Sequence, residues 1–141
     1  MAKKKILVVD DEPSVLKVLK RRLESKDYEV FTAEDGLEGL EKALADKPDL
    51  IISDIMMPTM DGYTFIKKLK AKPGLARIPV IILTAKEKMQ DLFLFEGIKE
   101  FDYIVKPFET EELLNKITQL LQRVEEHLGS GPSGASTPPA A

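Results

Sequence analysis

Asp10-Asp11, Asp54, Thr84 and Lys106 each stand directly after a short run of aliphatic and β-branched residues. If those runs are neighbouring strands of one sheet, their ends bring three carboxylates, one hydroxyl and one amine to a common edge. Three carboxylates a few ångströms apart repel one another, and the arrangement is costly unless protons or a cation relieve it. Oxygen donors without thiol or imidazole suit a hard divalent ion. The set is too small to fill the larger shell of Ca²⁺, so Mg²⁺ is the expected metal, with Mn²⁺ as the alternative. The Lys106 ammonium and the Thr84 hydroxyl both donate hydrogen bonds, which suits phosphoryl oxygens. A carboxylate beside a metal-held phosphoryl group can attack phosphorus and form an aspartyl-phosphate. Asp54, placed after Leu50-Ile51-Ile52-Ser53 and before a turn, is the candidate nucleophile. Such a transfer needs positioning and charge neutralisation more than a separate base.

Taken singly, each residue has a plainer explanation. Asp10 or Asp11 would cap a helix opening at Pro13, Thr84 would be a turn residue, and Lys106 a solvated lysine. Independent caps and turns have no reason to converge on one edge, and the joint placement favours a site.

The elements that must position these residues alternate along the whole chain. Strands are expected at 6–9, 29–33, 50–52, 80–83 and 103–105, each followed by helical spacing. The first helix carries Val15, Leu16, Leu19 and Leu23 on one face, opens at Pro13 and is expected to run to about Lys26. The second opens near Asp35 with Leu37, Leu40 and Leu44 as its apolar stripe and stops before Lys47-Pro48. The third is capped by Asp61 and buries Phe65, Ile66 and Leu69. The last carries Leu113, Leu114, Ile117, Leu120, Leu121, Val124 and Leu128, with Thr110 as its expected cap and Gly129 as its expected end. Strands alternating with helices imply a parallel sheet covered on both faces, and five units suit an open doubly wound α/β sheet rather than a closed barrel. Residues 1–128 read as one domain. Residues 129–141 hold only Gly, Ser, Pro, Ala and Thr and read as a disordered tail or a linker to an output domain.

Composition narrows the function classes. A formal charge of −3 leaves no broad basic surface for nucleic acid. There is no cysteine, which removes disulfides and thiolate chemistry and fits a cytoplasmic protein. The single His127 cannot build an imidazole metal site. The apolar run after Lys3-Lys4-Lys5 is too short for a signal peptide or a membrane span.

These residues resemble the receiver domain of bacterial two-component response regulators, of the chemotaxis-regulator kind. The resemblance lies in "ILVVDDE" at 6–12, "DIMMPTMDG" at 54–62, "ILTA" at 82–85 and "YIVKPF" at 103–108, in order over residues 4–125. It implies a flavodoxin-like receiver fold with strand order 2-1-3-4-5 and five helices. It implies Asp54 as phosphoacceptor, and Asp10, Asp11, Asp54 and the backbone carbonyl of Met56 as Mg²⁺ ligands. Thr84 and Lys106 would contact phosphoryl oxygens, Tyr103 would turn inward when Thr84 moves, and the Lys106-Pro107 peptide would be cis. The implied partners are a sensor histidine kinase or phosphotransfer protein, a downstream output domain or protein, and a second copy meeting the face made by the fourth helix, fifth strand and fifth helix. The chain is then a phosphorelay switch rather than a conventional enzyme, although it catalyses its own Mg²⁺-dependent phosphotransfer and dephosphorylation. Competing readings are a receiver that binds partners without phosphorylation, against which the intact acidic set argues, and a hydrolase working through an aspartyl-phosphate, which lacks a second acid.

One stretch departs from the family pattern. "LFLFEGI", at 92–98, is unusually apolar for the fourth helix, and Lys99-Glu100-Phe101 replace a small-residue run before Asp102-Tyr103. Phe93 and one neighbour are expected in the core. Four consecutive apolar residues cannot all face inward on a helix, so part of Leu92, Phe93, Leu94, Phe95 and Phe101 is expected to form an exposed partner surface.

Overall fold

Ile6, Leu7, Val8 and Val9 are all buried, and a strand buried on both faces needs helices on both, which parallel crossovers supply. The computed structural model describes residues 3–55, 57 and 60–130, with side chains as far as Val124. Its five strands are β1 (Lys5–Val9), β2 (Glu29–Ala33), β3 (Leu50–Asp54), β4 (Val80–Ala85) and β5 (Phe101–Lys106), and they form one sheet in the order β2-β1-β3-β4-β5, all neighbours parallel. Five helical segments cross between and after them: α1 (Pro13–Glu24), α2 (Gly36–Asp46), α3 (Gly62–Lys70), the 3₁₀ segment η1 (Lys86–Phe95) and α4 (Thr110–Ser130). The expected order and five-unit architecture are both present.

Period-two alternation divides the core between the two faces. Ile6, Val8, Leu50, Ile52, Ile81, Leu83 and Ile104 face α1 and α4, where Leu16, Leu19, Leu23, Leu113, Ile117 and Leu120 cover them. Leu7, Val9, Ile51, Val80 and Ile82 face the other way, beneath Ala43 of α2, Phe65, Ile66 and Leu69 of α3, and Phe95 of η1. Among the described residues no helix is long and apolar enough to cross a membrane.

Several local expectations are corrected. α1 ends at Glu24, two residues short of Lys26, and α4 runs one residue past Gly129; helix ends are weakly specified by sequence. Leu128, the tail beyond Ser130 and the Met56 carbonyl lie outside the described atoms. Thr110 is the first residue of α4 instead of its cap, and its hydroxyl accepts from Arg22 Nη1 at 2.6 Å. On α2 only part of the leucine stripe is covered: Leu40 is half-buried against the second core, Leu37 and Leu44 are 48% and 46% exposed, and Gly36, Gly39 and Ala43 are the fully buried positions. Small residues recur at the same helical spacing, and they let α2 approach so closely that a Cβ on Gly39 would stand 3.0 Å from Val9 Cγ2 and 3.3 Å from the Phe65 ring.

The largest departure is η1. Leu92 and Phe95 pack toward the second core three residues apart, the period of a 3₁₀ turn, and Ile98 and Phe101 beyond the segment pack there too. Phe95 is buried, stacked on Phe101 at 4.9 Å between centroids and edge-on to Tyr63 at 5.5 Å. Phe93, expected in the core, is 68% exposed, and Leu94 is exposed beside it. Of the five residues expected to contribute to a surface, Phe95 therefore leaves the set, Leu92 and Phe101 are half-buried, and Phe93 and Leu94 remain.

The α2 packing makes a test. Leu37→Gln is expected to change stability by less than about 0.5 kcal/mol. Gly36→Ala, whose new Cβ would stand 2.8 Å from the Met60 carbonyl oxygen, is expected to cost about 1–3 kcal/mol in urea denaturation despite alanine's better helix propensity. The reverse ranking would mean that the leucine stripe faces the sheet.

Candidate functional site

The register decides which strand-end residues meet. Val9 pairs with Ser53, Asp54 with Leu83, and Ala85 with Lys106. Asp10 follows Ile6 and Val8 in the alternation, Asp54 follows Leu50 and Ile52, and Lys106 follows Ile104, so all three side chains leave the sheet on the α1 and α4 side. Lys106 Nζ lies 3.2 Å from Asp54 Oδ2 and 3.7 Å from Asp10 Oδ2, an ammonium set between two carboxylates. Asp11 completes the group: one carboxylate oxygen from each of Asp10, Asp11 and Asp54 lies within 4.8 Å of the others. Asp10 is fully buried and Asp11 is exposed.

Local structure fixes each member. The Glu12 N–H donates to Asp10 Oδ1 at 3.0 Å, and the Asp10 N–H continues the β-ladder to the Ala33 carbonyl at 3.1 Å. Pro13 then begins α1 at a position where a missing N–H is harmless. After Asp54, Ile55 and Met57 are buried and hold the loop against the second core. Asp61 caps α3 by accepting from the Thr64 N–H at 2.7 Å, and the Gly62 N–H donates to Ile55 O at 2.7 Å. A Cβ on Gly62 would collide with the Asp54 carbonyl oxygen, and only glycine lets α3 start this close to Asp54. The sequence reading saw Asp61-Gly62 as a helix start and missed this contact; a glycine at the first helical position directly after a cap was the available signal.

By the strand alternation, Thr84 and Tyr103 leave the sheet on the face opposite the acidic side chains. Thr84 follows Ile82 and so leaves the sheet on the opposite face; it is buried, and its hydroxyl donates to the Ala85 carbonyl at 3.2 Å. Tyr103, abreast of Ile82, shares that face and is 36% exposed. The Lys106-Pro107 peptide is cis.

The sequence profile of the response regulator receiver domain matches residues 6–118. The chain belongs to this family. It is 42% identical over 122 residues to the alkaline phosphatase synthesis transcriptional regulatory protein PhoP of Bacillus subtilis, a match covering 86% of this chain and 50% of that protein. It thus spans about half the length of the curated relatives it matches. Among solved structures, the Vibrio cholerae chemotaxis protein CheY4 superposes with a TM-score of 0.79 at 34% identity, covering 84% of this chain and 99% of that one. The receiver domain of the Pseudomonas aeruginosa sensor histidine kinase PA1611, with a magnesium ion coordinated in its active-site cleft, gives 0.77 at 31% identity, covering 86% and 99%.

In this receiver the acidic group carries an electrostatic cost that its donor chemistry explains. Asp10 Oδ2 is buried and has no hydrogen-bond partner among the described residues. The Asp10 pKa is raised from 3.8 to about 6, first by burial and then by the charges of Asp54 and Asp11, against the Glu12 N–H and Lys106, which lower it. A buried carboxylate oxygen lacking a donor, beside two more carboxylates, fits a hard divalent cation. Without one, the native state retains a proton on Asp10 at pH values where the unfolded chain has lost it. Stability is therefore expected to fall as pH rises from about 4 to about 6, by on the order of 3 kcal/mol for this group. Asp10→Asn is expected to remove that slope and to raise metal-free stability at pH 7.5 by about 1–3 kcal/mol. Urea denaturation at pH 4.5 and 7.5 in EDTA reads both, and a variant no more stable than the parent at pH 7.5 would exclude the buried charge as the cost.

Proposed function

We propose that this receiver accepts a phosphoryl group on Asp54 from the phosphohistidine of a sensor histidine kinase or phosphotransfer protein in the cytoplasm, and that the modification shifts the face made by η1, β5 and α4. The observation that carries the reading is the Lys106 ammonium bridging Asp54 and Asp10 within a three-carboxylate group at the sheet edge. An Asp54 carboxylate oxygen forms a bond to phosphorus as the phosphorus–nitrogen bond to imidazole breaks, and the imidazole nitrogen leaves with the electron pair and takes up a proton. Lys106 neutralises charge on a phosphoryl oxygen and holds Asp54 in line. Asp10, Asp11 and Asp54 would hold Mg²⁺, or Mn²⁺ in its place, together with the Met56 carbonyl. The bound ion supplies charge neutralisation for the transferring oxygens. Water attack on the same phosphorus returns the carboxylate, which makes the domain the catalyst of its own labelling and decay.

Thr84 gives the signal its path. Its hydroxyl leaves the Ala85 carbonyl for a phosphoryl oxygen, and the space it vacates on that face of β4 admits the Tyr103 ring. The two arrangements form a two-state element whose balance the phosphoryl group biases. Phe93 and Leu94 of η1 are exposed. They offer an apolar surface for an output domain, a downstream protein or a second copy of the chain. The curated relatives named as transcriptional regulators are matched over only half of their length, and an effect on transcription would be exerted through such a partner or an attached domain.

Incubation with acetyl phosphate is expected to give one Mg²⁺-dependent phosphoryl adduct by intact mass, absent in Asp54→Asn. No adduct on folded parent protein would leave a phosphorylation-independent binding module. Gly62→Ala is expected to keep the far-ultraviolet spectrum of the parent while slowing labelling roughly 10- to 100-fold, because the new methyl group displaces the Asp54 backbone; unchanged labelling kinetics would mean that α3 can retreat freely.

A further inference from the structure

Lys116, on α4, lies beside the edge strand with its ammonium 5.8 Å from the centroid of the Tyr103 ring and 3.1 Å from Asp102 Oδ1. That same Asp102 oxygen accepts the backbone N–H of Tyr103 at 2.7 Å. The three contacts form a chain of constraints. The backbone fixes the carboxylate, the carboxylate fixes the ammonium, and the ammonium faces the ring. An ammonium within about 6 Å of an aromatic centroid is attracted by the ring's quadrupole.

The strand register gives this contact a consequence. Tyr103 pairs with Ile82, and Thr84 is the next residue of β4 on the same face. A ring that turns toward Thr84 moves away from Lys116 and gives up the attraction; a ring that stays outward keeps it. A contact made in one state only shifts the balance between the two, by the whole of its own strength.

We propose that Lys116 is a latch on the outward position of Tyr103, a positioning residue that sets how far the unphosphorylated receiver lies toward its resting arrangement. The inference rests on the reading of Thr84 and Tyr103 as the switch pair. A purely structural role for Lys116 is the competing account, but its ion pair with Asp102 has both side chains about one-quarter exposed (28% and 26%), and such pairs contribute little to folding. What its removal changes is the position of Tyr103, with the fold retained.

The test uses tyrosines labelled with carbon-13, the Tyr103 signal being assigned among Tyr28, Tyr63 and Tyr103 by its loss in Tyr103→Phe. Side-chain couplings then report the ratio of inward to outward ring. Lys116→Gln is expected to raise that ratio roughly two- to five-fold. By linkage it tightens binding of beryllofluoride, a phosphoryl mimic, in the presence of Mg²⁺ by up to the same factor. Lys116→Arg keeps a cation over the ring and a donor to Asp102, and is expected to match the parent in both. A folded Lys116→Gln protein with the parent's conformer ratio overturns the latch, as does an arginine variant that shifts as far as the glutamine one. Failure of the parent to bind beryllofluoride would count against the phosphorylation reading instead, and the conformer ratios measured without the mimic would still decide the latch.

Discussion

A carboxylate at the centre of the sheet, buried and lacking a donor on one oxygen, is the constraint around which the rest is arranged. Asp10 sits at the end of β1, flanked by β2 and β3, and among the described residues its Oδ2 makes no hydrogen bond and faces the Lys106 ammonium at 3.7 Å. Burial of an ionised group costs several kcal/mol unless partners replace the lost water. The fold meets part of that cost with the Glu12 N–H and part with Lys106, and leaves the rest standing as a raised pKa. Filling the position with an apolar residue would relieve the strain and abolish the cation-binding capacity. A site of this kind trades stability for chemistry, as functional sites commonly do.

Sheet geometry turns that local constraint into a two-sided device. Because side chains alternate, Asp10, Asp54 and Lys106 emerge on the α1 and α4 side, whereas Thr84 and Tyr103 emerge on the α2 and α3 side. The acidic group lies on one face, and the hydroxyl and aromatic ring lie on the other. Thr84 stands near the end of β4, next to Asp54's own strand. Ser53 adds rigidity at the same level, fully buried with its hydroxyl donating to the Asp54 carbonyl at 2.9 Å. The Asp54 backbone is thereby held from two directions, Ser53 on one side and the glycine start of α3 on the other.

How much of this was legible in the sequence depended on the range of the interaction. The strands, the helix opening near Asp35, the Asp61 cap, the Pro13 entry and the convergence of Asp10, Asp11, Asp54 and Lys106 were all readable, because alternation, capping and strand-end placement are written in a few neighbouring residues. The α2 face was misread because two stripes share one spacing, and hydrophobicity favours leucine where close approach favours glycine. Phe93 was misread because the segment was given the period of an α-helix; at three residues per turn Phe95 takes the inward position and Phe93 the outward one. The Lys116 contact with Tyr103 joins the last helix to an edge strand, and nothing local in either segment announces it.

The same distinction between short- and long-range support indicates where this molecule can change shape. β1, β3 and β4 are enclosed on both faces, and their buried aliphatic side chains fit one arrangement only. β5 is an edge strand with one neighbour, and η1 is tied down chiefly by Phe95 wedged between Tyr63 and Phe101. A 3₁₀ segment has poorer hydrogen-bond geometry than an α-helix, and a ten-residue run of it is long for the type. Regions with fewer buried apolar contacts open at lower free energy than the core around them. A charge added at Asp54 therefore meets a rigid centre that cannot absorb it and a lightly held margin that can. The exposed Phe93, Leu94 and Tyr103 lie on that margin, so rearrangement there changes the surface a partner meets while the enclosed strands keep their register.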